Sequence, residues 1–422
     1  MSRVRGERMS TLAALTDNPG YLKLELAVKG VRLDDAARAH ADVQRVSSAP
    51  ADAVRGIDLV LPHDVSVNVP LDEDTTADSP FLLAGHGERL TLQRNGAEVE
   101  VRVVPQPSFY ARSTKSGRPM WQVGAVYGGF IAINPAAGCG YSLRGGPCRF
   151  CRSGSRTAGE DGATPSVEEV IEVVRAAFDE GAAEFVYFNP AYAGSDDAGI
   201  AALEPHIAAV KRHFDTLLAV QMHPPRSNGW IDRTYAMGVD AVSYNVEIHD
   251  AEVLARRCAG RVRYIGRERY YDALAYAASV FPSGTVWSEL VLGLEPTEST
   301  RRGIDALVSS GVLPVLSAWR PPRSAGPSAD PLPSLEAVTP VFVHLFHTVR
   351  QARINTRWLR EVCFGITPSE ARFFAGDDGR GAGALRHFYR SKLGHLTVRS
   401  LSRLRRRLRV RTISDSFDSS RL

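Results

Sequence analysis

From about residue 121 to residue 321, short continuously apolar stretches alternate with amphipathic ones, and this alternation restricts the fold more than any other feature. The apolar stretches are 128–135 (GGFIAINP), 184–190 (EFVYFNP), 217–224 (LLAVQMHP), 241–249 (AVSYNVEIH), 285–295 (TVWSELVLGLE) and 313–321 (LPVLSAWRP). Between them, helices are predicted over 166–181, 197–214, near 232–237, over 267–281 and over 299–311. Ser166 followed by Glu169 is a capping box for the first of these helices. Strands that are apolar on both faces belong in a parallel sheet covered by helices. Six units are too few to close an eight-stranded barrel, which leaves a partial (β/α)6 TIM-like barrel or an open doubly wound sheet. Either fold puts its chemistry at the C-terminal ends of the strands.

The flanks read differently. Residues 57–62 (IDLVLP) and 65–71 (VSVNVPL) alternate as strands do, and Asn95-Gly96 supplies the two positive-φ residues of a tight hairpin turn. Residues 1–110 are therefore expected to form a small β-rich domain, with 108–119 as connector. Residues 121–325 form the α/β core, and 334–422 a helical C-terminal extension with an arginine-rich tail. No internal repeat is visible.

Of the 422 residues, 44% are hydrophobic and 23% charged, which excludes global disorder. Arg403–Arg411 contains six arginines and no acid, more than the net charge of +4, so the rest of the chain is slightly acidic. A distributed nucleic-acid-binding face is not indicated, and the tail reads as a solvated basic segment. Apolar runs such as 123–133 fall well short of the roughly 18 residues that span a bilayer. The first residues, MSRVRGERMSTLAAL, lack a long apolar region and a cleavage site. A cytoplasmic protein without a membrane partner is expected.

Five cysteines are too few for a disulfide scaffold, but Cys139, Cys148 and Cys151 lie together on a glycine-rich loop just after the first core strand. Three thiolates can hold three irons of a [4Fe–4S] cluster and leave the fourth open to a chelating ligand. Structural zinc normally takes four ligands, and neither a histidine nor a fourth cysteine is near in sequence. Cys258 and Cys363 stand alone. An auxiliary iron–sulfur cluster would use both, yet needs more ligands than two; the alternative is an inert buried thiol at each position.

With Phe150 just before its last cysteine, the loop resembles that of the radical S-adenosylmethionine superfamily, although eight residues separate its first two cysteines. Two further stretches are similar to biotin synthase, lipoyl synthase and thiazole tyrosine lyase-like members: Ser243-Tyr244-Asn245-Val246-Glu247, and Gly266-Arg267-Glu268-Arg269. The resemblance covers roughly residues 125–325. It implies a [4Fe–4S] cluster on Cys139, Cys148 and Cys151, with S-adenosyl-L-methionine bound at the open iron. It further implies that Asn245 and Glu247 hold the ribose hydroxyls, that Arg269 (with Arg267 second) approaches the methionyl carboxylate, and that Gly293 lies on the adenine side. Where the family carries Gly-Gly-Glu, this chain has Phe188-Asn189-Pro190, so Asn189 or backbone carbonyls would hold the methionyl amine.

The implied activity is reductive cleavage of S-adenosylmethionine to a 5′-deoxyadenosyl radical, which takes hydrogen from a small-molecule substrate. Electrons would come from a donor such as flavodoxin or ferredoxin. Sulfur insertion is the first subclass expected, with C–C cleavage or epimerisation as the alternative. A non-enzymatic iron–sulfur or zinc-binding protein is the reading from another class. His223, Tyr244 and Glu289 are the catalytic candidates, since each stands near a strand end, and Tyr187, Tyr192 and Trp319 have similar positions. The structural alternative is a capped strand end with solvated polar groups for Asn245 and Glu247, and close helix–sheet packing for Gly293. His344 and His347, spaced i, i+3 without a nearby acid, read as helix packing rather than a metal site.

Overall fold

The structure, a computed structural model, describes residues 18–47, 56–71, 76–134, 138–151, 164–319, 334–356 and 365–377, together with 400, 401, 403, 404 and 406. Its two sheets follow from two kinds of sequence pattern.

The first sheet has the order β1-β4-β5-β6-β2-β3, from β1 (Arg32–Leu33), β2 (Ile57–Leu61), β3 (Val65–Val69), β4 (Leu82–His86), β5 (Arg89–Arg94) and β6 (Ala97–Val103). All its pairings are antiparallel except β1 with β4. Asn95 and Gly96 both have positive φ, and the register Arg94↔Ala97 makes theirs a two-residue turn. The alternation in β2 buries Ile57, Leu59 and Leu61. Helix Pro19–Lys29, begun by the Asn18 side chain with proline in its first turn, lies against this sheet. It sends Leu22 and Leu26 into the sheet's core and Leu24 into the core of the second sheet. Lys23 meets Glu370 at 2.6 Å, with only 2% of either side chain exposed. The helix is thus a strut shared by both parts of the molecule.

The second sheet contains β7 (Gly124–Tyr127), β8 (Phe130–Ile133), β9 (Phe185–Phe188), β10 (Leu218–Gln221), β11 (Ala241–Ser243), β12 (Val286–Leu292) and β13 (Leu313–Ala318), in strictly sequential order. β8 to β13 are parallel, while β7 is an antiparallel edge strand joined to β8 through Gly128-Gly129. Sequential winding means that every crossover steps the same way, so right-handed connections place all the helices on one face. A doubly wound sheet would reverse its order near the middle, and this one does not.

Register separates the two faces. Ile131, Val186, Val220, Val242, Leu290 and Leu316 face the helices and join Val170, Val173, Ile207, Leu274 and Leu307 in one buried core. The opposite face presents Phe130, Phe185, Tyr187, Gln221, Trp287, Glu289 and Ser317, all partly exposed. Strands β9 and β12 are three places apart, about 14 Å in a flat sheet at about 4.8 Å per strand. Yet the rings of Tyr187 and Trp287 are 6.1 Å apart between centroids. The sheet therefore curls, with this face concave: an open half-barrel with the helices outside.

The helices begin where their caps predict. Ser166 and Glu169 form a complete capping box on helix Val167–Asp179. Helix Leu335–Gln351 and the turn Pro368–Ala371 then close one flank of the barrel. Of the basic tail, Arg403 pairs with Asp215, and Arg406 with Asp240 at 2.6 Å. Arg406 thereby docks on the barrel, with 15% of its side chain exposed, contrary to the expectation of a solvated tail, whereas the Arg403 pair stays exposed. Among the described residues no helix is long and apolar enough to cross a membrane.

Candidate functional site

The parallel strands end at one rim, and the cysteine loop leaves from there. Cys139 follows β8 and precedes the short helix Gly140–Leu143. The Gly140 amide donates to the Tyr192 carbonyl (2.7 Å) beyond β9, and the Arg149 amide to the Arg257 carbonyl (2.9 Å) beyond β11. The loop is thus stitched across the rim. Close approach requires glycine here: a Cβ on Gly140 would lie 2.6 Å from the Tyr192 carbonyl oxygen, and one on Gly260 2.3 Å from that of Gly146.

Cys139 and Cys148 are half-buried, Cys151 is exposed, and no described cysteine is in a disulfide. The fourth described cysteine, Cys258, is fully buried and shares a hydrogen bond with the Cys148 thiol. That bond, with the nearby Arg261 guanidinium, holds the Cys148 thiol down to about 7 against the effect of burial. Phe150 and Cys148 both pack on a small apolar cluster of Ile248, Leu254, Cys258, Leu294 and Trp319. Cys363 lies outside the described residues.

Arg261, from helix Ala259–Tyr264, is the charged centre of the rim. It is 6% exposed, meets Glu247 at 2.6 Å, and donates to the carbonyls of Asn245 (2.9 Å) and Val246 (3.3 Å). Burial pushes the Glu247 carboxyl up while Arg261 pulls it down. Glu247 has φ of 62° and bridges to β12, its amide donating to the Glu289 carbonyl at 2.7 Å. Sequence reasoning missed Arg261. It is one of four arginines between 256 and 263, and only the packing of its helix shows which one is buried.

Asn245 and Glu247 point to separate partners. The Asn245 amide accepts from the Ser243 hydroxyl and the Glu289 backbone, and donates to the Glu289 carboxylate at 3.0 Å. Burial raises Glu289 to about 7, with repulsion from Glu247 adding to it and a hydrogen bond from Ser317 opposing it. Arg269 donates to the Pro225 carbonyl (2.7 Å), and its Nη2 is buried without a hydrogen-bond partner; Arg267 donates to the His249 carbonyl (2.9 Å). Asn189 stands exposed at the end of β9, and Gly293 ends β12 with φ of 93°.

Of the catalytic candidates, Glu289 faces the lumen and His223 lies under the rim, where its Nδ1 is 2.6 Å from the Tyr270 hydroxyl and 3.5 Å from that of Tyr141. Burial, with Arg261 nearby, holds His223 well below its usual range, so the ring is neutral at pH 7. Tyr141 and Tyr192 stack beside it at 4.0 Å. Tyr244 does not reach the mouth. One residue past β11, it turns to the helix side and is fully buried in the core, its hydroxyl without a hydrogen-bond partner. Trp319 packs with Cys258. His344 does have an acid nearby, Asp305 at 2.7 Å, whereas His347 is exposed beside Phe346.

No protein-family model matches the chain, and no curated protein matches it. Among solved structures it is similar to methylornithine synthase (PylB), with 14% identity and a TM-score of 0.42 over 57% of this chain and 72% of that one. It is also similar to the FeFe-hydrogenase maturase HydG from Carboxydothermus hydrogenoformans (16% identity, TM-score 0.41, 53% and 52% covered). A third is Streptococcus suis SuiB (10% identity, TM-score 0.39, 55% and 48% covered). The chain spans about half the length of the last two.

Proposed function

We propose that the chain is a radical S-adenosylmethionine enzyme acting on a small molecule, with Cys139, Cys148 and Cys151 as ligands of a [4Fe–4S] cluster. The observation that carries this reading is the three-cysteine, glycine-rich loop fixed across the C-terminal rim of a sequentially wound parallel half-barrel. The donor set fits such a cluster in kind: three thiols, one of them held near neutrality beside a buried guanidinium. Among the described residues the donors do not converge as a group of three.

When bound, the cluster with S-adenosylmethionine would supply a 5′-deoxyadenosyl radical able to take hydrogen from an unactivated carbon, using electrons from a donor such as flavodoxin or ferredoxin. The chain's own residues do the rest. Arg261, paired with Glu247, anchors the rim, Tyr141 and Tyr192 wall it, and aromatic rings line the lumen below. Hydrogen abstraction is the reaction class. Sulfur insertion would call on Cys258 and Cys363 for an auxiliary cluster, and Cys258 is engaged with Cys148.

The test is anaerobic reconstitution with iron and sulfide, then dithionite and S-adenosylmethionine. Formation of 5′-deoxyadenosine above a Cys148→Ala control supports the reading, and its absence ends it. The Cys148–Cys258 contact favours one second reading, a four-thiol zinc or iron–sulfur site without turnover. That reading requires metal retention to fall in Cys258→Ala as far as in Cys148→Ala, with no 5′-deoxyadenosine from either the variants or the parent.

A further inference from the structure

We propose that the half-barrel lumen receives the ammonium group of an amine-bearing substrate, held by the Glu289 carboxylate above the aromatic floor formed by Phe130, Tyr187 and Trp287. The proposal rests on reading the lumen as the substrate chamber of the enzyme proposed above.

Glu289 is the one charged residue in the seven strands of the sheet. Strands of parallel sheets are apolar because both of their faces are covered, so an acid there needs a reason. It is not on the helix side: the register pairs it with Val315, and it alternates with the outward-facing Ser288 and Leu290. It is also fixed in place. Asn245 donates to its carboxylate from one side and Ser317 from the other.

Below it the lumen is aromatic. Phe130 lies 5.0 Å from Tyr187, and Tyr187 lies 6.1 Å from Trp287, which makes a continuous row of rings across the sheet. Gln221 accepts from the Tyr187 hydroxyl, which leaves its own amide nitrogen as a donor at this level. A carboxylate above π-faces selects a cation over a neutral group of the same size, since both attract positive charge. The same arrangement repels a carboxylate at that end of the substrate. The other groups in the field of Glu289 are Tyr187 from β9, Glu247 beyond β11 and Arg261 from helix Ala259–Tyr264. The last two are paired with each other, so neither offers the lumen an unpaired charge of its own.

Calorimetric titration of the 422-residue chain with benzylammonium and with benzyl alcohol tests the proposal. At about pH 8 benzylammonium is expected to bind at least about tenfold more tightly, and Glu289→Gln to abolish the preference. Lowering the pH from about 8 to about 6 protonates Glu289 and should weaken the ammonium about tenfold while leaving the alcohol unchanged. If Glu289→Gln fails to fold, this pH series in the parent protein decides. Equal affinities, no binding of either compound, or an ammonium affinity that ignores pH would overturn the proposal. Since binding needs no turnover, a protein that prefers the ammonium yet makes no 5′-deoxyadenosine refutes the enzyme reading alone.

Discussion

The side chain of Asn245 is a clamp on Glu289: its oxygen takes the Glu289 backbone amide at 3.2 Å while its nitrogen reaches the carboxylate at 3.0 Å. One amide thus joins β12 to the chain leaving β11 and fixes the acid that faces the lumen.

Asn245→Ala should therefore cost about 1–3 kcal/mol, since it leaves a buried amide and a carboxyl without their partner. Denaturant unfolding measures this, and a cost near zero would mean that the clamp is not formed.

The Arg261–Glu247 pair makes a stronger claim. Arg261→Met leaves Glu247 buried without compensation and should destabilise by about 3–5 kcal/mol, whereas the double variant Arg261→Met/Glu247→Leu recovers most of the loss. Non-recovery in the double variant would show that the carbonyl contacts of Arg261, not the ion pair, dominate.

Glu289 gives a pH dependence of stability with a definite sign. Its folded pKa is raised to about 7 from 4.5, so the folded chain keeps a proton that the unfolded chain releases. The associated stability is present in full below about 4.5 and is lost as pH rises through about 7, a change on the order of 3 kcal/mol. Thermal melts between about pH 4.5 and 7.5 should fall more steeply for the parent than for Glu289→Gln, and parallel curves would refute the raised value.

Lys23 and Glu370 connect the N-terminal strut to the C-terminal turn. Lys23→Met strands the buried Glu370 and should cost about 3–5 kcal/mol, more than the surface change Arg233→Met at its exposed pair, for which about 0–1 kcal/mol is expected.

Much of this arrangement was legible in the sequence, and the parts that were not have physical reasons. Strand positions, the Asn95-Gly96 turn and the Ser166 cap are local, so short-range patterns reveal them. β7 was missed although Tyr127-Gly128-Gly129-Phe130 carries a two-glycine hairpin signal, because the apolar run through it hides the reversal. Helix Pro19–Lys29 was missed too, although Asn18-Pro19 is a helix start. Tyr244 was assigned to the mouth because proximity to a strand end does not say which face a residue takes. Arg261 owes its importance to how its helix packs against Asn245–Glu247, and Cys258 to Cys148, more than a hundred residues away in sequence. No spacing rule reaches that far.

An arc of strands differs from a closed barrel in one mechanical respect. A closed barrel has its radius set by strand number and stagger, whereas an arc has no such closure condition. The breadth of this chamber is instead propped by whatever spans it, and the Tyr187–Trp287 contact does so between strands three places apart. Trimming Trp287 would let the arc tighten or splay without breaking one ladder hydrogen bond. The two rings act as a gauge block, and the width they set decides how bulky a guest can pass.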